Sequence, residues 1–252
     1  MDDTPKPVVE HLDELRKRLF WVVGTWTLFA GLAALVVRDV FEILMGPAID
    51  AVRAHGHTLI AIAPSELFMT YVKTALLAGF LGTMPMLLYQ GWSFVAPGLY
   101  PNERRFALPF VTSATLLFAA GCAFGYFAAF PQVFQWFLGL EADYVTTAWT
   151  TQTVFAFMAR LYLAFGLAFE LPVVLVLLAI AGVVTPATLA RWRKYAILVI
   201  FVVAAILTPP DAVSQIMLAL PLCLLYESSI WIAYLIVGRR DRTTRLPEPR
   251  GT

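Results

Sequence analysis

The chain has 252 residues, of which 60% are hydrophobic and only 14% are charged, and its formal net charge is +1. Soluble domains are typically about 45–50% apolar and about 25% charged. The mean hydropathy of +0.76 deviates in the same direction. This composition excludes a disordered chain, argues against a soluble globular domain and favours a surface that faces lipid. The small net charge provides no field that would attract nucleic acid.

Apolar runs of helical length divide the chain into predicted membrane spans. A bilayer core of roughly 30 Å is crossed by about 20 helical residues. We predict an all-α polytopic membrane protein, a single integral domain whose segment 1–18 is amphipathic. Its six predicted spans are residues 19–37, 68–90, 106–130, 154–181, 193–208 and 212–232. The last two are short, since about 15 residues cover only about 22 Å.

Lysine and arginine residues of the short loops predict the orientation. They concentrate in the N-terminus, in the loops around residues 104–105 and 191–194, and in the tail 238–252. Both termini are therefore predicted to be cytoplasmic, and the tail is expected to be mobile. The longest connection, residues 38–67, is expected on the outer side, shaped by Pro47 and Pro64, with Glu66 capping the second span.

Two cytoplasmic segments carry carboxylates beside apolar residues. Residues 8–19 have a helical amphipathic pattern, with a possible ion pair between Glu14 and Arg18. This pattern fits either an interfacial helix or a docking surface. The loop 89–105 places Glu103 after several aromatic residues, which fits either an aromatic belt or a site for a cationic, partly apolar peptide. Arginine would be the best ligand, because its planar fork matches a carboxylate.

Polar residues within the fourth span and beside the last turn are the other candidates. A charge at Glu170 would cost roughly 2.5–3.5 kcal/mol at the centre of a span, which favours a functional polar site over a structural acid. Thr208 and Gln215 flank the turn between the last two spans and can hydrogen-bond a neighbouring helix. Asp211 is expected to cap the last helix.

No catalytic motif is visible, so the chain is not predicted to be an enzyme. Neither a His-Glu-x-x-His motif, a Gly-x-Ser-x-Gly motif nor a phosphate-binding glycine loop is present. The histidines and cysteines suggest no metal site, and no cofactor is expected. The main alternative is a proton-coupled small-solute transporter that uses Glu170, although repeat symmetry is missing. An intramembrane protease would need a nucleophile, base or metal set within the spans, and none is visible.

Several short segments together resemble one family. The sequence is similar to TatC, the polytopic subunit of the twin-arginine (Sec-independent) protein translocase, from about residue 11 to residue 227. The matching segments are residues 11–16, 64–68, 89–94, 97–100 with Glu103, 165–166, 169–172, 193–195, 208–211 with Gln215, and 225–227. Each segment is weak evidence alone, but their order and spacing make the resemblance specific.

The resemblance implies a receptor for the signal peptides of folded proteins that are exported. Phe94, Glu103 and Glu14 would contact the twin-arginine motif. Arg16 would position the loop or a carboxylate, because it cannot pair with the ligand's arginines. Glu170 would lie in a polar pocket of a concave, glove-shaped bundle.

The resemblance also implies partners and a location. Thr208 and Gln215 would lie where single-span subunits of the TatA and TatB type dock. The resemblance further implies that the chain self-associates in the complex and that export uses the proton-motive force. It implies a location in the cytoplasmic (inner) membrane of a prokaryote.

Overall fold

The structure is a computed structural model that describes residues 8–95, 107–140, 147–180, 182–208 and 212–244, with backbone alone at 8–11, 94–95, 107–109 and 237–244. These ranges are almost entirely helical, which confirms the all-α class. The helices are α1 Val8–Leu35, α2 Val37–Ala54, α3 Pro64–Val95, α4 Ala107–Phe124, α5 Phe130–Leu138, α6 Thr151–Phe169, α7 Leu171–Ile180, α8 Pro186–Arg191, α9 Arg193–Leu207 and α10 Ala212–Thr244.

Five helical segments of the described chain are long and apolar enough to cross a membrane. They are Leu12–Leu35, Pro64–Ser93, Phe110–Leu138, Thr151–Ile180 and Ala212–Ile236. The remaining predicted span corresponds to α9, which has 15 residues. At 1.5 Å per residue, α9 covers only about 22 Å.

The third of these segments continues beyond the predicted end at residue 130. A π-helical turn, Gly125–Ala129, joins α4 to α5, and Pro131 stands in the first turn of α5. Proline is tolerated there because the first turn of a helix needs no amide donor. The π turn therefore allows the helix to extend to Leu138.

The connection 38–67 contains a helix, α2, that was not predicted from the sequence. Pro47 lies inside α2, so its predicted role of shaping a loop is wrong. The helix forms because its buried residues recur at helical spacing, at positions 41, 45, 48 and 52. Gly56 has a φ of 77° just beyond it. There the amides of Gly56 and His57 donate to the carbonyls of Arg53 and Val52, the Schellman pattern that ends helices.

The described chain divides into two compact units. In the first, residues 1–116 and 140–159, α1 and α3 pack antiparallel. Trp26 of α1 donates to the Leu76 carbonyl of α3 over 2.9 Å. At Gly79 an added Cβ would lie only 2.6 Å from the Ala30 backbone nitrogen, so the two helices approach closely because this position has no side chain.

The second unit comprises residues 117–139 and 160–252. Here Gly121 of α4 lies against the backbone of α6 at Phe165. A buried cluster of Ala179, Leu189, Ile230 and Ala233 joins α7, α8 and α10. Tyr226 adds a hydrogen bond of 2.9 Å from its hydroxyl to the Leu189 carbonyl.

Candidate functional site

The first candidate carboxylate, Glu14, lies near the start of α1 and is paired with Arg18. The Arg18 Nη2 and Nε atoms lie 2.5 Å and 3.2 Å from Glu14 Oε1. The two side chains are 28% and 21% exposed, so the pair is largely shielded from solvent. The predicted i,i+4 ion pair between these residues is confirmed.

Arg18 also binds the end of α3. Its Nη1 donates to Gln90 Oε1 over 3.1 Å, and its Nη2 donates to the Ser93 carbonyl over 3.0 Å. A helix leaves its last four carbonyls without intrahelical partners and carries partial negative charge there. The guanidinium therefore caps the end of α3 and places Glu14 beside it.

The remaining residues predicted for this region fall around the same helix end. Phe94 belongs to the last turn of α3, directly after Ser93, and its backbone alone is described. Glu103 lies outside the described residues. Arg16 is exposed and places its guanidinium carbon 5.7 Å from the centre of the Phe20 ring. Among the described side chains, the arginine that binds Glu14 is therefore Arg18.

Trp92 lies in the protein interior. A residue of an interfacial aromatic belt would instead be exposed to the lipid headgroups. Its side chain is 5% exposed and stacks on Phe110 with ring centres 4.3 Å apart. This stacking fixes the last turn of α3 against α4. The end of α3 is thus held from two sides, by Arg18 and by Phe110.

Glu170 lies at the break between α6 and α7. Its amide donates to the Leu167 carbonyl over 3.1 Å, a tighter turn than an α-helix. Pro172 follows in α7 and cannot donate a backbone hydrogen bond. The residue is 8% exposed, and its Oε1 has no hydrogen-bond partner among the described residues. Phe169, the residue before Glu170, packs against Phe124 with ring centres 5.9 Å apart.

The two predicted docking residues lie where α9 meets α10. Thr208 is buried and its hydroxyl donates to the Ala204 carbonyl over 2.9 Å. Gln215 donates from Nε2 to the Phe201 carbonyl over 3.0 Å. Both side chains thus bond to α9 itself. Asp211, predicted as a cap, lies outside the described residues.

Glu66 joins the starts of two helices at the opposite end of α3. Its Oε2 accepts the Ile62 amide over 2.8 Å, and its Oε1 accepts the Gln152 amide, in the first turn of α6, over 3.0 Å. Beside it, Ile60 forms a parallel bridge with Thr150. The predicted capping role of Glu66 is confirmed, and the carboxylate serves α6 as well as α3. No signal in the sequence indicated this second partner.

A second ion pair joins α9 to α10. Arg193 Nε lies 3.0 Å from Glu227 Oε2, and its Nη2 lies 2.5 Å from Oε1, which is the bidentate arrangement. Opposite charges 34 positions apart cannot be paired from the sequence alone. Across the described residues, no group of three or more histidine, cysteine or acidic side chains is placed to hold a metal ion.

Comparisons with known proteins give a consistent result. The chain matches the family model for the Sec-independent protein translocase protein (TatC) over residues 10–221. It is 42% identical to the TatC protein of Desulforapulum autotrophicum over 95% of this chain and 88% of the relative. It is 38% identical to that of Aquifex aeolicus, over 93% of this chain and 97% of the relative.

A solved structure agrees with these matches. The crystal structure of the twin-arginine translocase receptor TatC superposes with a TM-score of 0.81 at 38% identity, covering 89% of this chain and 98% of that one. The family match spans most of the chain, and the relatives match nearly all of it. The chain therefore belongs to the TatC family of Sec-independent protein translocase proteins.

Proposed function

We propose that the chain is the receptor subunit of a twin-arginine protein translocase, which binds the signal peptides of folded proteins and supports their export across the cytoplasmic membrane. The structural observation that carries this proposal is the junction of Glu14, Arg18 and the end of α3. It places a shielded carboxylate beside the backbone that leads to Phe94. The solved structure of a twin-arginine translocase receptor supports the same function.

The carboxylates would recognise the paired arginines of the ligand. Glu14 is already bonded to Arg18, so a ligand with two guanidinium groups needs further negative charge. Glu103, nine positions after Phe94, is the residue that we assign to that role. Two charge-assisted, bidentate contacts distinguish arginine from lysine, which lacks the planar fork.

The membrane arrangement that we propose has six spans, with both termini in the cytoplasm. Five segments meet the length needed for a span. For α9 the support is its surface, since Leu198, Val199 and Ile206 are 62%, 59% and 73% exposed. Such an apolar surface is stable only against lipid or a partner helix. A short span is accommodated by local thinning of the bilayer or by oligomerisation.

The same surface is the proposed docking region for single-span subunits of the TatA and TatB type. Thr208 and Gln215 donate to carbonyls of α9, and the exposed apolar residues of α9 supply the contact area. Glu170, buried at the break between α6 and α7, is the intramembrane polar position that we assign to this function. The family and structural matches give no support to the solute-transporter alternative.

An export assay tests the proposal. The chain is expressed together with its TatA-type and TatB-type partners in cells that lack their own TatC, with a folded fluorescent reporter behind a twin-arginine signal. We expect export that depends on the proton-motive force and stops when the signal carries two lysines. Glu103→Gln should abolish export while the protein still accumulates in the membrane. Equal export of the two signals would contradict the assignment.

A further inference from the structure

Arg18 has a larger role in the described contacts than its position in a basic segment suggests. Its guanidinium makes five hydrogen bonds: two to Glu14, two to the carbonyl and side-chain oxygens of Gln90, and one to the Ser93 carbonyl. A guanidinium has five N–H donors in a rigid plane. Four of these contacts are 3.2 Å or shorter, and the contact from Nη1 to the Gln90 carbonyl is 3.5 Å. All three nitrogen atoms of the guanidinium thus donate to Glu14 or to the end of α3.

The contacts connect parts of the site that are distant in sequence. Glu14 lies four positions before Arg18, whereas Gln90 and Ser93 lie 72 and 75 positions after it. Sequence alone predicts the first contact through helical spacing. The longer contacts depend on the antiparallel packing of α1 and α3, which brings the start of one helix to the end of the other.

This arrangement constrains the carboxylate. Two N–H groups direct Glu14 Oε1 toward the end of α3, so the charge has a defined place beside the chain that continues to Phe94. A carboxylate held in one orientation binds a ligand with a smaller loss of side-chain entropy. A role in orienting Glu14 requires no contact between Arg18 and the ligand.

We propose that Arg18 is a positioning residue of the signal-peptide site, which orients Glu14 for the paired arginines of the ligand. The inference rests on the proposed receptor function and adds a residue that determines specificity. Lysine at position 18 would retain the charge but lose the planar fork and two of the five donors. The geometry therefore requires arginine, because a positive charge alone does not provide these contacts.

The test is a double-mutant cycle on the detergent-purified protein. Binding of a fluorescent twin-arginine signal peptide and of its double-lysine form is measured for wild type, Arg18→Lys, Glu14→Gln and the double variant. Lys17→Gln is the matched control, because Lys17 is the exposed neighbour on the same helix. A melting curve for each variant confirms that it is folded.

We expect Arg18→Lys to weaken binding of the twin-arginine peptide by about tenfold and to reduce the preference over the lysine form. In the Glu14→Gln background the same change should have little further effect, since Arg18 acts through that carboxylate. Lys17→Gln should bind as wild type does.

Two other results have separate meanings. If wild type prefers arginine but Arg18→Lys retains its affinity and preference, or if the two effects add independently, the positioning role is wrong and the receptor function stands. If wild type itself does not distinguish the two peptides, the receptor proposal fails. A purely structural role would lower the melting temperature and leave the preference between the peptides unchanged.

Discussion

The close approach of α4 and α6 at Gly121 leads to a quantitative prediction. A Cβ at this position would overlap the Phe165 carbonyl oxygen and lie 2.8 Å from its carbonyl carbon and 3.0 Å from the Gly166 Cα. These are backbone atoms, so no side-chain rotation can relieve the overlap. Ordinary contact begins near 3.4 Å. Gly121→Ala must therefore separate the two helices by roughly 0.5–1 Å, which forfeits a quarter to a half of the contact energy nearby.

Overpacking of this kind costs about 1–3 kcal/mol, and replacing a helical glycine by alanine returns at most about 1 kcal/mol. With the overpacking cost at its upper end, the free energy of unfolding should fall by about 2 kcal/mol net. For a chain of this size, this corresponds to a melting temperature about 4–8 °C lower. The assay is thermal unfolding of the protein in detergent, followed by intrinsic fluorescence.

Gly24→Ala is the matched control. Gly24 lies in α1, and nothing is within 4 Å of its added Cβ. The control should leave the melting temperature unchanged or raise it, because alanine is the better helix former. If Gly121→Ala melts at or above the temperature of Gly24→Ala, the reasoning about the helix contact is refuted.

Three further predictions follow from named contacts. Glu66→Ala should lower the melting temperature more than Glu42→Gln, a change at an exposed carboxylate. Glu66 accepts the Ile62 amide, just before α3, and the Gln152 amide, in the first turn of α6; equal melting temperatures would exclude this double role. Arg193→Lys should lower the free energy of unfolding by at most about 1 kcal/mol, because the ion pair with Glu227 is nearly half exposed. A larger loss in thermal unfolding would contradict the reasoning from exposure. Glu170→Leu should stabilise the fold by about 1–3 kcal/mol, because it removes a buried oxygen without a described partner, and should reduce reporter export; unchanged export would remove Glu170 from the functional site.

Sequence reasoning predicted the long helices because lipid imposes a simple length requirement on apolar runs. It failed at α2, where Pro47 was expected to shape a loop. The spacing of Phe41, Met45, Ala48 and Val52 could have revealed this helix, since it follows a helical period. A proline in the sequence was thus a weaker signal than the apolar pattern around it.

The site was partly predictable for a similar reason. The Glu14–Arg18 pair follows from helical spacing, whereas the bonds from Arg18 to Gln90 and Ser93 depend on tertiary packing. The same holds for Glu66, whose local cap was predicted and whose bond to Gln152 was not. Contacts between distant segments require the fold, because composition and periodicity report only on neighbours along one helix.

The central claim is that the arginines of a signal peptide bind at the joined ends of α1 and α3. Photocrosslinking tests it directly, with a photoreactive residue at exposed Tyr89, at exposed Leu15 or at exposed Ile62, the last near the other end of α3. The account predicts that a twin-arginine peptide crosslinks to positions 89 and 15, that its double-lysine form does not, and that position 62 remains unlabelled. Equal labelling at position 62, or labelling that is indifferent to the two arginines, would contradict it.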